Sequence, residues 1–331
     1  MPINSRLGRA ARLVASGLVL LIPFALGACG GDDDDATPTN AVSTAVTTSA
    51  TATSSPAAQA FPVEFRDSTG TLVTFASAPK RILSYSPGAT EILFAIGAGD
   101  QVIGTDKFSD FPDKAKALPK LEYSKPAPEP AVALTPDLVV MATRQEGQVA
   151  AFRALNLKVV LLKEPEDLAS VATQVEQLGR ITGHSEQATK VAGDMRKRMD
   201  AMTAKVAKTA NGPKVFYELS ADGFTVAPNS FVGSMLKMLK AGNVAEGATT
   251  AFPQLSAEAI IAGNPDVIIL ADGGDRGGQS ADTVKARPGW SGIAAVKFGR
   301  IHIINSDLYN RPGPRVIDAL EELVKILYPG Q

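Results

Sequence analysis

Two segments far apart in this chain are spelled alike. Residues 129–140 read EPAVALTPDLVV, and residues 258–269 read EAIIAGNPDVII. In each, a Glu is followed seven and eight positions later by Pro-Asp, and then by a run of branched aliphatics. Proline disfavours helical backbone at the residue before it, so Thr135 and Asn264 are expected to end a short helix. The aliphatic run reads as a buried parallel strand. The chain therefore uses one helix–turn–strand unit twice, with Glu129 or Glu258 in the first helical turn. The copies lie too far apart for a solenoid, whose repeat is about 20–50 residues. Two similar lobes explain the spacing, and a two-lobed protein usually keeps its ligand between them.

The rest of the chain supports that layout. Phe61–Phe75 reads as a β-hairpin around Asp67–Gly70. Strands are expected at Arg81–Tyr85, Gln101–Thr105, Leu138–Met141 and Lys158–Leu162, with helices at Ala89–Ile96 and near Gln148–Leu155. This alternation argues a parallel, doubly wound sheet. Asp167–Ile181 is an amphipathic helix that Gly183 breaks, and Ser185–Lys208 is another. The latter carries Val191, Met195, Met199, Met202 and Val206 at helical spacing, a stripe read as core. Its ~24 residues make a rod of roughly 36 Å. Alternation then resumes with strands Lys214–Leu219, Val267–Leu270 and Arg300–Ile304 and helices near Phe231–Lys240 and at Pro314–Leu327. The fold class is α/β, with two Rossmann-like lobes joined by a single long helix.

The N-terminus is a targeting segment. Arg6, Arg9 and Arg12 precede an apolar stretch, 13–28, that Pro23 interrupts and that is short for a spanning helix. It ends in Leu26-Gly27-Ala28-Cys29, which resembles a bacterial lipobox whose cysteine becomes the lipidated first residue. Cys29 is the only cysteine of the chain, so no internal disulfide is available. Residues 30–60 hold Asp32–Asp35 and a Thr/Ser/Ala/Pro tract, a composition expected to form a disordered acidic tether. The boundaries read as a signal peptide over 1–28, a lipidated tether over 29–60, an N-terminal lobe over 61–183, an interlobe helix over 184–209 and a C-terminal lobe over 210–331. The formal net charge of −1 gives no reason to expect a nucleic-acid partner.

Other motifs fall short. Gly97-Ala-Gly99 closes a helix instead of following a strand, and Gly273–Gly278 lacks the Gly-Lys-Ser/Thr of a P-loop. His184 and His302 lack the clustered partners of a metal site, so no protein-held metal or cofactor is expected. No Ser/His/Asp set offers hydrolysis, and the chain reads as a binding protein and not an enzyme.

The stretch KRILSYSPGATEILFAIGAGDQVIGTDKFSDFP, residues 80–112, closely resembles the opening of substrate-binding proteins of cobalamin (corrinoid) ABC importers. These belong to the class III periplasmic binding proteins, which carry cobalamin, siderophores and haem. Residues 134–140, 255–270, 287–290 and 295–323 are similar to the same family, in the family's order. The resemblance implies a lipid-anchored, extracytoplasmic, monomeric carrier that delivers a corrinoid to a transmembrane permease with paired ATPases. A ferric-siderophore or haem carrier is the alternative of the same class, and a ligand sensor or enzyme on the same scaffold is one of another class. It also implies that Glu129 and Glu258, one per lobe, pair with arginines of the permease.

Ligand residues are expected at the C-terminal ends of the strands and in the loops after them. In the first lobe these are Tyr85, Phe108, Tyr123 and Arg144; in the second, Phe224, Phe252, Tyr309, Asn310 and Arg311. Aromatic rings suit a large planar macrocycle, and the arginines suit amide, phosphate or carboxylate groups. Tyr123 and Phe252 match positions where cobalamin carriers often have tryptophan. Trp290, in the PGW motif, reads as structural.

Overall fold

The computed structural model describes residues 60–274 and 278–330, all within one compact unit, residues 54–331. The signal segment, Cys29 and the Asp32–Asp35 run lie outside the described residues. The N-terminal lobe runs β1 (Val63–Arg66), β2 (Leu72–Phe75), β3 (Ile82–Ser84), α1 (Pro87–Ala95), β4 (Val102–Asp106), α2 (Asp113–Lys116), β5 (Lys120–Leu121), α3 (Pro128–Ala133), β6 (Leu138–Ala142), α4 (Glu146–Ala154), β7 (Val159–Leu162) and α5 (Leu168–Thr182). After α6 (Ser185–Lys205) the C-terminal lobe runs β8 (Lys214–Glu218), α7 (Phe231–Met238), β9 (Gly242–Asn243), α8 (Ala257–Gly263), β10 (Val267–Leu270), α9 (Ala281–Lys285), α10 (Ala294–Lys297), β11 (Ile301–Ile303), α11 (Ser306–Asn310) and α12 (Val316–Leu327).

Among the described residues, β1 and β2 form an antiparallel hairpin. The N-terminal lobe holds a parallel sheet ordered β5-β4-β3-β6-β7, and the C-terminal lobe one ordered β11-β10-β8-β9. Chain order reverses between β3 and β6 in the first sheet and between β8 and β10 in the second. Open α/β sheets bind ligands outside the carboxyl ends of the strands at such a reversal. Strand residues alternate between two buried faces: Leu138 and Val140 pack with α1 and α5 residues, while Val139 and Met141 join Phe152 of α4. Both faces are buried, which is why these strands are spelled as continuous aliphatics.

The repeated Pro-Asp pairs have a structural task. The Asp137 carboxylate accepts from the backbone N–H of Lys80 (2.7 Å) and Arg81 (2.9 Å), and its own N–H donates to Arg81 O at 2.9 Å. The Asp266 carboxylate accepts from Lys214 N–H at 2.8 Å and returns its own N–H to Lys214 O at 2.8 Å. Each clip joins the amino ends of the two strands flanking the reversal. Thr135 and Asn264, just before the prolines, both turn the chain with a left-handed backbone, φ 44° and 42°. Arg81 steadies the first turn through Leu134 O and Thr135 O, and the Asn264 side chain caps Ala294 N–H.

The linking helix is α6, 21 residues and about 32 Å long. It stops at Lys205, short of the expected Lys208, where Val206 turns into the core. Gly183, left-handed at φ 82°, reverses the chain between α5 and α6. Met195 and Met202 are buried and Met199 partly so, which makes the methionine stripe core. Arg196 grips Glu176 of α5 bidentately (2.5 and 2.9 Å), and Arg198 reaches Asp318 (2.6 Å) and Glu321 (2.8 Å) of α12. The helix is thus tied to both lobes by charge as well as by packing.

Candidate functional site

The carboxyl ends of the two sheets face each other. Asp110, in the loop after β4, pairs with Arg311, just after α11 in the other lobe. Gly88, at the start of α1, lies so close to Pro312 that a Cβ on it would fall 2.6 Å from the Pro312 carbonyl oxygen. The loops beyond β3, β4, β5 and β6 thus supply one wall of a candidate interlobe site, and those beyond β8, β9, β10 and β11 the other.

On the first wall, Phe108 is 47% exposed and meets Tyr123 edge to face, with ring centroids 5.2 Å apart. A buried polar network holds both loops. Asp106 accepts from Phe108 N–H (2.8 Å) and from the Ser109 hydroxyl. Thr90 links Ser84 (2.8 Å) to Ser109 (3.0 Å), and the Lys120 ammonium donates to Thr105 Oγ1, Ser109 O and Ala115 O. Burial raises the Asp106 carboxyl above its ordinary range, against the pull of the Ser109 hydroxyl and Lys120. Gln145, fully buried, donates to Tyr85 O (3.2 Å) and Tyr123 O (3.3 Å) and accepts from Ala142 N–H (2.9 Å). It sets the Tyr123 loop against the end of β3. Arg144 stands exposed, 3.6 Å from Glu164.

On the second wall, Phe224 is 38% and Phe252 56% exposed. Their segments run side by side through Thr225 N–H to Pro253 O (3.0 Å) and Leu255 N–H to Gly223 O (3.0 Å), and Leu219 N–H to Phe224 O (2.9 Å) closes the turn after β8. Beneath them, at the carboxyl ends of β8 and β10, lies a charged group absent from the sequence reading. Buried Glu218 receives Arg287 bidentately at 2.5 and 2.6 Å, and the Arg287 guanidinium lies over the Trp290 ring, 4.6 Å from its centroid. Burial and the neighbouring Glu218 carboxylate push Asp272 up to about 6. The rule that ligands sit at strand ends could have flagged Glu218 and Asp272, since both close strands that are legible in the sequence.

The structure removes two candidates from the cleft surface. Tyr85 is 1% exposed: its N–H still pairs with Val140 O, so it continues the pleat of β3 and turns its ring into the core against Phe152. Tyr309 is wholly buried on the inner face of α11, its hydroxyl donating to Glu322 at 2.9 Å. Arg311 is 11% exposed and committed to Asp110 and Asp307, so it joins the lobes where a ligand cation was expected. Asn310 is exposed at the end of α11, and Trp290 is core, packed on Phe216. Glu129 and Glu258 stand exposed in the first turns of α3 and α8. Hydrogen bonds from its own backbone N–H and from Ser256 hold the Glu258 carboxyl below its ordinary range.

The family described as periplasmic binding protein matches residues 82–308. This chain is a periplasmic binding protein. An ABC transporter substrate-binding lipoprotein of Bacillus subtilis, YvrC, is 31% identical to it over 280 residues, which is 82% of this chain and 87% of the relative. A protein of Halobacterium salinarum named cobalamin-binding protein is 27% identical over 276 residues, 81% of this chain and 74% of the relative. The crystal structure of a possible iron-binding (periplasmic solute-binding) protein from Staphylococcus epidermidis superposes with a TM-score of 0.67 at 27% identity, covering 76% of this chain and 100% of that one. The periplasmic binding protein described here is accordingly the extracytoplasmic substrate-binding component of an ABC importer, built as two parallel-sheet lobes bridged by one helix.

Proposed function

We propose that this periplasmic binding protein captures a corrinoid in the interlobe cleft and hands it to a permease. The observation that carries the reading is the character of the two walls. Phe108, Tyr123, Phe224 and Phe252 offer partly exposed rings. On these loops Lys107, Arg144, Arg287, Arg311 and Arg315 are each ion-paired with a carboxylate already, while Lys125 stands exposed. A surface with ring faces and neutralised charge suits a broad macrocycle with an uncharged amide periphery better than a polyanion. The likeness to the haloarchaeal cobalamin-binding protein points the same way. A ferric-siderophore or haem carrier is the second reading, favoured by the likeness to the staphylococcal protein.

Residues 61–331 are to be titrated with cyanocobalamin, cobinamide, haemin and a ferric catecholate. Corrinoid dissociation constants of about 1 μM or tighter are expected. Binding of haemin or the ferric complex alone would transfer the assignment to the second reading, and no binding below millimolar by any of the four would leave the cleft unassigned.

Glu129 and Glu258 are proposed as docking posts, one per lobe, and Cys29 as the site of the lipid anchor. Charges of this kind steer and orient association more than they add affinity. The double variant Glu129→Arg with Glu258→Arg is expected to abolish uptake in cells while corrinoid affinity of the purified protein stays unchanged. Lost affinity in the purified variant would falsify the docking role.

A further inference from the structure

The loop of residues 107–112 does two things at once. Phe108, at its start, belongs to the ligand wall. Its next residues grasp the opposite lobe: Asp110 pairs with Arg311, and the Phe111 ring lies under the Arg315 guanidinium, 3.5 Å from the ring centroid. Arg315 also closes a bidentate pair with buried Glu91 of α1, Nε to Oε2 at 2.9 Å and Nη2 to Oε1 at 2.5 Å. Around these pairs Gly88 and Gly313 let the segment 312–313 pack directly on α1. A Cβ on Gly88 would lie 2.6 Å from Pro312 O, and one on Gly313 would lie 2.9 Å from the Glu91 Cβ. The contact is therefore close as well as charged.

We propose that residues 107–112 together with Arg311 and Arg315 form a clasp that fixes the separation of the lobes, and with it the position of Phe108, before any ligand arrives. Arg311 and Arg315 are positioning residues here; neither is asked to touch ligand. The covalent link between the lobes runs through α6, which is tied to α5 on one side and α12 on the other. One hinge of this kind leaves rotation about the helix free. A second attachment, through α1 and the loop after β4, removes that freedom. The two attachments also explain why a single loop can carry a ligand-facing ring: its far end is anchored on the other wall. The consequence for affinity rests on the corrinoid reading above, because preorganised walls reduce the ordering cost of binding. The mechanical part of the proposal does not.

The test uses the full chain with Cys29→Ser, spin-labelled at Ala150→Cys on α4 and Lys297→Cys on α10, both exposed positions. Electron–electron double resonance is to give one narrow distance distribution without ligand. Asp110→Asn, a mild change at a half-exposed carboxylate, is expected to broaden it, and Arg315→Gln to broaden it further. Arg315→Lys, which keeps the charge but loses the planar fork, is expected to fall between Arg315→Gln and the parent. Hydrogen exchange of residues 107–111 should quicken in the same order. Cyanocobalamin is expected to bind the Asp110→Asn protein about tenfold more weakly. An unchanged ligand-free distribution in both Asp110→Asn and Arg315→Gln overturns the clasp, whatever the ligand. A broadened distribution with unchanged cyanocobalamin affinity overturns its role in positioning Phe108. Failure of the parent protein to bind cyanocobalamin counts against the corrinoid reading and leaves the distance result to decide the clasp.

Discussion

The two lobes are alike at the amino ends of their sheets and unlike at the carboxyl ends. At the amino ends, a Pro-Asp clip ties β6 to β3 and β10 to β8 with the same exchange of backbone and carboxylate hydrogen bonds. At the carboxyl ends, the first lobe uses buried hydroxyls with Asp106, bridged by the Lys120 ammonium, and separately the buried amide of Gln145. The second uses a bidentate ion pair, Glu218 with Arg287, beside a carboxyl at Asp272 that resists ionisation. The shared unit builds the sheet, and the unshared ends shape what lies between the lobes. A repeat can therefore mark the scaffold while the strand ends that it leaves free differ from lobe to lobe.

The largest expected effect breaks the second lobe's end. Arg287→Met strands the Glu218 carboxylate, which is buried, next to Asp272. Removing one partner of such a pair costs roughly 3–5 kcal/mol. Thermal unfolding followed by circular dichroism should show that loss, and a change under about 1 kcal/mol would mean that water or Gln279 replaces the pair. Next come the clips. Asp266→Ala removes a charge-assisted bond to Lys214 N–H, worth roughly 1–2 kcal/mol in urea unfolding. Asp137→Ala should cost at least as much, because Asp137 holds two N–H groups and Asp266 one. Equal costs would show that the second bond adds nothing.

The smallest effect sharpens the contrast by pH. The Asp272 pKa is raised from 3.8 to about 6 in the folded protein. The folded state thus binds this proton more tightly than the unfolded state does. Stability from this group is complete below about 3.8, falls as pH rises to about 6, and stays lowered above it. Asp272→Asn should therefore stabilise the protein at pH 8 by about 1 kcal/mol, a value reduced for partial exposure, and leave it unchanged near pH 4. Equal melting shifts at both pH values would show that the carboxyl is not the cause.

Much of the fold was legible. The hairpin, the longer strands, the bridging helix and the doubled unit all follow from periodicities of 2.0 and 3.6 and from turn residues. Strands β5 and β9 were not, because each is two residues long at a sheet edge and carries no period. The candidate site was legible only in part. Phe108 and Phe224 follow strands that the sequence shows and prove partly exposed there, whereas Tyr123 and Phe252 follow β5 and β9 and were placed by the family resemblance alone. Tyr85 follows a strand end too, yet one further residue of pleat turned it inward. Arg287 was missed because it lies 69 residues from the glutamate it pairs with, although Glu218 and Asp272 lie at strand ends that the sequence shows.

By itself the sequence determined that there are two α/β lobes, since aliphatic runs and Pro-Asp turns are local signals that need no partner to be read. It also determined the family, because the motifs recur in order along the chain. Only the tertiary structure decided which side chains at the strand ends are exposed and which pair across the lobes. Arg311 is the clearest instance: its sequence context fits a ligand cation equally well, and its charge partner was settled by Asp110, 201 positions earlier, arriving beside it. The physical reason is that secondary structure answers to neighbours within a few residues, whereas the orientation and charge partner of a loop side chain depend on how two sheets are set against each other.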